Sequence, residues 1–324
     1  MNVIRHVQFL FMEFAFEEKP GVFNSFGTLT SDSIVRRLHN LIDFIMFSSV
    51  YVAIAAAGMV YTSCFIQGID LNAAIVGVMA LISFSVYNLN RKTDEVEDEI
   101  NHKKRFIFTK TFEKPLFYAA LVAYTIALGI SFLYGIQAFI ITMIPLISGI
   151  LYSVPIMPAT WRYRRLKEIP AIKNLVVAVA WALPLSLLPV FITSSSPGWM
   201  TVITALFFFT YVFIASILPD IRDREGDALT HVMTIPVTIG VRRTQVLLTG
   251  INLLIGGFVL LVGLQFFSVP VVILLLGSLC FSQLCILLAD GMISKDLVCD
   301  VMSDGQFILF GIVIAAIGTW STIL

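Results

Sequence analysis

The chain reads as an all-α polytopic membrane protein, with about nine transmembrane helices in a single bundle. Its 324 residues are 58% hydrophobic and only 13% charged, and the mean hydropathy of +0.92 leaves too little polar surface for a water-soluble fold. Apolar runs of roughly 20 residues, enough to cross a ~30 Å hydrocarbon core at 1.5 Å per residue, recur along the chain. All 21 lysines and arginines fall on one side of the bilayer if those runs are counted as spans.

In order, spans are expected at Leu41 to Ser63, Leu71 to Asn88, Pro115 to Gly135, Ile136 to Pro158 and Asn174 to Thr193. Four more are expected at Trp199 to Leu218, Val246 to Phe267, Val269 to Ala289 and Gly305 to Ile323. Cations then precede the first span and follow the second, fourth, sixth and eighth, and an added or missing span before the last loop would split them. The positive-inside rule makes their side cytoplasmic, with the N-terminus inside and the C-terminus on the opposite side. Residues 1–36 are expected to be a cytoplasmic arm and 37–324 the transmembrane domain. Within the arm, Val3 to Phe16 interleaves phenylalanines with charges, as either a surface-lying amphipathic helix or a disordered segment. No cleavable signal is evident at the N-terminus.

A formal net charge of zero argues against a nucleic-acid partner. Cys64, Cys280, Cys285 and Cys299 show no CxxC spacing and are read as packing residues.

The polar residues gather at two cytoplasmic places. Continuing from the second span, Asn90, Asp94 and Asp98 are spaced four apart and would share one face of an extended helix. After the sixth span, Asp220, Asp223 and Asp227 again fall on one helical face. Like charges at that spacing repel by a few tenths of a kcal/mol per pair, so a cation is expected to compensate them. Opposed carboxylate ladders suit Mg2+, a hard cation usually held by one or two carboxylates plus substrate phosphates. A magnesium-bridged diphosphate is therefore the natural ligand, against the bland alternative of solvated loop faces neutralised by their own arginines. The loop after the fourth span, with Arg164, Arg165 and Lys167, has cations for phosphate oxygens, as do Lys104 and Arg105; the simpler reading of that loop is the positive-inside signal alone.

These residues resemble the UbiA superfamily of intramembrane prenyltransferases, nine-helix bundles with two aspartate-rich motifs on cytoplasmic loops. Asn90, Asp94 and Asp98 match its N-x-x-x-D-x-x-x-D motif, and Asn101 and Arg105 the positions that commonly follow. Asp220, Asp223, Glu225, Gly226 and Asp227 match the second motif; Thr234 to Val237 and Gly240 resemble the segment after it. Tyr152-Ser153, Arg165-Leu166-Lys167 and Asn174-Leu175 resemble the pieces between. There are departures: the residue after the first-motif Asn is often Asp and is Arg91 here, Phe106 replaces a common Pro, and Ile156 to Tyr163 lengthens a loop.

The resemblance implies transfer of a prenyl group from an isoprenyl diphosphate to a lipophilic acceptor through a carbocation shielded inside the bundle. It implies two Mg2+ ions held by Asn90, Asp94, Asp98, Asp223 and Asp227, with Asp220 in support; Asp94, Asp98, Asp223 and Asp227 count as catalytic. Arg105, Lys167 and Tyr152 would steady the leaving group, and Ser153, Arg165 and Asn174 complete the expected substrate-binding set. The acceptor is left open between an aromatic quinone precursor, a glycerol-lipid alcohol and a tetrapyrrole carboxylate. Three other readings compete: a cation-coupled transporter, which calls for midplane charges; a noncatalytic scaffold, which leaves the carboxylate spacing unexplained; and a terpene cyclase of the same family that needs no acceptor.

Overall fold

The computed structural model describes residues 31–321 apart from 94, 156, 159, 161–162, 231 and 292–293. Asp94 and the Val3 to Phe16 segment thus lie outside the described residues. The chain forms two compact units, 1–47 and 48–324. The first unit is represented by helix α1 (Ser31–Phe47).

In the second unit the helices are α2 (Val50–Gln67), α3 (Ala73–Thr93), α4 (Glu95–Asn101), α5 (Lys103–Thr111), α6 (Glu113–Leu133), α7 (Ile136–Ser153) and α8 (Ile172–Ile192). There follow α9 (Trp199–Arg222), α10 (Arg224–Leu229), α11 (Ile235–Ile239), α12 (Val241–Ile251), α13 (Gly257–Phe266), α14 (Val269–Leu288) and α15 (Ser303–Ser321). A π turn joins α12 to α13, and another, Leu297–Met302, leads into α15. Among the described residues nine helical segments are long and apolar enough to cross a membrane and no strand occurs, as an all-α polytopic fold requires.

The first span begins at Val50 rather than Leu41. The chain turns at Ser48 and Ser49, where Ser49 takes a left-handed conformation (φ 67°, ψ 11°), and the apolar run from Leu41 to Phe47 belongs to α1. At the other end, the last span starts at Leu297 rather than Gly305.

The bundle is built from neighbouring pairs, α2 on α3, α3 on α6, α7 on α8 and α8 on α9, and closes where α2 packs on α15. Ile75, Met79 and Ile82 of α3, Leu185 and Leu188 of α8, and Phe208, Ile214 and Ile217 of α9 are fully buried between them. Outward-facing Leu133 (83% exposed) and Leu254 (77% exposed) show the opposite surface, apolar and unpacked, suited to lipid.

Prolines inside these helices free carbonyls that lipid cannot satisfy. Pro189 leaves the Leu185 carbonyl without its helical partner, and Ser63 of α2 donates to it. Beside Pro145, the Tyr124 hydroxyl inserts into the helix, donating to the Thr142 carbonyl (2.6 Å) and accepting from Leu146 N–H (3.0 Å). Asn252 of the π turn donates to the Leu279 carbonyl (3.0 Å) of α14.

Close approach of α2 and α15 depends on Gly58, where a Cβ would collide with the Phe307 carbonyl; at Gly77 a Cβ would meet open space. Gly58→Ala should therefore cost about 1–3 kcal/mol of stability by overpacking, whereas Gly77→Ala should be neutral or slightly stabilising. Thermal melts followed by size-exclusion fluorescence check this, and equal melting temperatures would contradict the packing described.

Candidate active site

The polar ends of the spans meet at one end of the bundle. α3 finishes in Asn90, Arg91 and Lys92, and the short helices α4 and α5 return the chain to α6. α9 finishes in Asp220 and Arg222, the chain bends at Asp223, and α10 begins there, with Asp227 N–H donating to the Asp223 carbonyl (2.9 Å).

α4 docks on α10. Gly226 permits this, because any Cβ there would strike the Asn101 side chain. Asn101 Nδ2 points to Asp227 Oδ1 at 3.4 Å. His102 Nε2 lies 3.1 Å from Asp223 Oδ2 and 2.8 Å from Arg222 Nη2, so the ring either donates to the carboxylate or accepts from the guanidinium. The two acidic segments, more than a hundred residues apart, thus touch directly.

Arg222 is the hub of the charges, with a side chain only 8% exposed. It donates to Asp223 Oδ1 (2.7 Å), Asp300 Oδ2 (2.8 Å) and Asp296 Oδ1 (3.2 Å). Asp220 accepts from Lys173 Nζ (2.6 Å) and from Asn174 Nδ2 (3.1 Å) in the first turn of α8. Asp98 is buried and accepts from Arg105 Nη2 at 2.6 Å.

The remaining expected residues divide. Asn90 faces α7, with its Oδ1 3.6 Å from where a Gly149 Cβ would sit. Ser153 Oγ lies 3.3 Å from Thr93 Oγ1, and buried Lys167 donates to the Thr93 carbonyl at 3.5 Å. Tyr152 is among the ionisable neighbours of Lys173. Arg165 turns back on its own loop, donating to Glu168 (2.7 Å).

The carboxyls are poised differently. Burial pushes Asp223 upward, but hydrogen bonds from His102 and Arg222 outweigh it and hold the group down at about 2. Burial pushes Asp227 up to about 7; Lys173 opposes this, while the Asp220 and Asp223 carboxylates add to it.

Sequence reasoning misses Arg222, His102, and the line Asp296, Asp300 and Asp304, although the four-residue spacing of those aspartates is there to find. Asp304 lies within the last span and accepts from the Tyr211 hydroxyl (3.2 Å). The Tyr211 hydroxyl also contacts the Ser303 carbonyl at the start of α15, and Tyr51 donates to the Val301 carbonyl of the π turn (2.7 Å each).

Asp227 makes a testable contribution to stability. Its folded value near 7 exceeds the 3.8 of a free carboxyl, so the folded chain binds the proton more tightly and loses stability as pH rises from about 4 through 7. In melts without divalent cations, Asp227→Asn should gain on the wild type between pH 5 and pH 8.5; a difference that stays constant with pH would contradict this assignment.

The model of the UbiA prenyltransferase family matches residues 46–292. A digeranylgeranylglyceryl phosphate synthase from Saccharolobus solfataricus is 29% identical over 182 residues, covering 55% of this chain and 59% of that protein. The match thus spans less than two thirds of that relative. Among solved structures, a UbiA homolog from Archaeoglobus fulgidus bound to GPP and Mg2+ aligns with a TM-score of 0.62 at 14% identity, covering 85% of this chain and 99% of that one. A UbiA homolog from Aeropyrum pernix K1 in its apo form aligns at 0.61 with 12% identity, covering 84% and 98%.

Proposed function

This chain belongs to the UbiA prenyltransferase family, and from that premise we propose that it is an intramembrane enzyme moving a prenyl group from an isoprenyl diphosphate to a lipophilic acceptor. The observation that carries the reading is the docking of α4 on α10, which brings Asp98 and Arg105 to the same end of the bundle as Asp223 and Asp227. Of the three acceptor classes, a glycerol-lipid alcohol is favoured by the Saccharolobus relative, whose product is a glyceryl phosphate. The basic loops set the membrane orientation, with the N-terminus cytoplasmic and the C-terminus opposite.

The residues fit magnesium. Among the described residues no three acidic, histidine or cysteine side chains form a ready-made metal cage. Mg2+ does not need one, because one or two carboxylates plus substrate phosphates and water suffice. The donor set is oxygen-only, as a hard cation prefers, and the Asp227 carboxyl, raised first by burial and then by the Asp220 and Asp223 carboxylates, is one that such a cation would hold ionised. Asn90, Asp94 and Asp98 would hold one ion and Asp223 and Asp227 a second, with Asp220 behind them. When bound, such ions neutralise a departing diphosphate and so ease scission of its allylic C–O bond.

The chain's own groups do the rest. Arg105, Lys167 and Tyr152 orient phosphoryl oxygens, with Ser153, Arg165 and Asn174 supporting the loop and helix ends that carry them. The apolar bundle takes up the prenyl chain at about 0.8 kcal/mol per CH2 and keeps water from an electron-deficient carbon. Aromatic faces such as the neighbouring rings of Tyr87 and Trp181, 6.0 Å apart, suit that environment.

With purified protein, geranylgeranyl diphosphate and Mg2+, diphosphate release should be readily measured, should stop on chelation, and should fall at least about 100-fold in Asp94→Asn and Asp227→Asn. Turnover like that of the wild type in both variants would remove the carboxylates from the reaction.

A further inference from the structure

Asp304 differs from the carboxylates of the polar cluster in what it is bonded to. Asp98, Asp220 and Asp223 each pair with a lysine or arginine, whereas no cation pairs with Asp304 among the described residues. Its contact is the Tyr211 hydroxyl, 3.2 Å from Oδ1, and that hydroxyl lies nearer the Ser303 carbonyl, at 2.7 Å. One phenolic proton cannot serve both acceptors fully, so the carboxylate keeps capacity to accept a proton from elsewhere.

Its position adds a second, independent observation. Asp304 belongs to the last span, Leu297–Ala316, four residues beyond Asp300, which Arg222 ties to Asp223. It therefore stands about one helical turn deeper in the bundle than that ion cluster. Tyr211 is buried and held edge-on against Phe307, 4.5 Å between ring centroids, so Asp304 turns inward to α9 and not outward to lipid. Ser303, Gln306 and Phe307 around it are buried, while Asp304 itself is only partly so. An ionisable side chain facing the interior of a span is costly, and it marks function more often than packing.

We infer that Asp304 is the base that takes the proton from the attacking hydroxyl of the acceptor. The inference rests on the prenyltransferase reading and deepens it. The reacting allylic carbon is bonded directly to the diphosphate, so with the diphosphate among the acidic segments that carbon belongs just inside the polar end, at the depth of Asp304. As the allylic C–O bond breaks, its electron pair leaves with the diphosphate. A lone pair of the acceptor oxygen forms the new C–O bond, and the O–H proton passes to the Asp304 carboxylate, giving an ether and a neutral side chain that returns the proton to water once product leaves. A carboxylate acceptor carries no such proton and would be repelled by Asp304. The role thus agrees with the glycerol-lipid alcohol and disfavours the tetrapyrrole carboxylate.

Full-length protein in lipid nanodiscs would be given geranylgeranyl diphosphate, Mg2+ and either geranylgeranylglyceryl phosphate or the same lipid with a thiol replacing the reacting hydroxyl. Asp304→Asn should bind the donor with Mg2+ as wild type does, yet transfer to the alcohol should fall about 100- to 1,000-fold in kcat. Toward the thiol, which ionises far more readily, the loss should be much smaller. A wild-type rate to the alcohol in Asp304→Asn overturns the role. So does an equal loss toward both lipids, or a loss of donor binding, since either marks a residue that only supports the fold. A wild type that binds the donor but forms neither ether nor thioether would instead sink the glycerol-lipid prenyltransferase reading itself, and this role with it.

Discussion

Carboxylates from two distant parts of the chain are held together at the edge of an apolar bundle, and the rest of the site depends on how that repulsion is managed. Direct contact between α4 and α10 sets the distance, through Gly226 and Asn101. Arg222 sets the charge, tying Asp223 to Asp300 and Asp296 and reaching His102. Lys173 does the same for Asp220. Asp223, bonded to Arg222 and His102, stays ionised, whereas Asp227 receives a long amide contact from Asn101 and is pushed by burial toward its protonated form. The site is thus compensated around its rim and left short of positive charge at one group, the kind of imbalance that a bound cation corrects.

Holding those ends in place falls to the bundle, whose helices solve a second problem. Prolines and π turns interrupt the regular hydrogen bonding of a helix, and a backbone group freed in this way is one that lipid cannot satisfy. Hydroxyl side chains from neighbouring helices bond to the backbone at these places: Ser63 at Leu185, Tyr124 at Thr142 and Leu146, Tyr51 at Val301 and Tyr211 at Ser303. Irregular backbone and interhelical hydrogen bonds therefore occur together, and the same bonds fix the relative positions of the spans that end in the polar cluster.

Much of this is legible in the sequence. Apolar run length and one-sided charge are enough to locate nine spans, since both follow from the thickness and dielectric of the bilayer. The break at Ser48 and Ser49 is not legible, because two serines inside an uninterrupted apolar run are weak punctuation. Carboxylate spacing alone singles out Asp98, Asp223 and Asp227, but it carries no information on their partners. Asn174 reads as a substrate-binding residue, and in the structure it holds Asp220; Arg165 reads the same way, and it closes its own loop on Glu168. Arg222 escapes notice because an arginine beside an aspartate reads as a solvated pair, and only the fold brings Asp300 and His102 to it.

The central claim is that the two acidic segments grip one ligand jointly, and a double-mutant cycle on Asp98→Asn and Asp227→Asn measures that coupling. The quantity to determine is the affinity for geranylgeranyl diphosphate at saturating Mg2+, in wild type, both single variants and the double. Joint grip predicts strong non-additivity, with the double variant binding little worse than the weaker single one. If the two losses simply multiply, the segments act on the ligand independently and the account is contradicted.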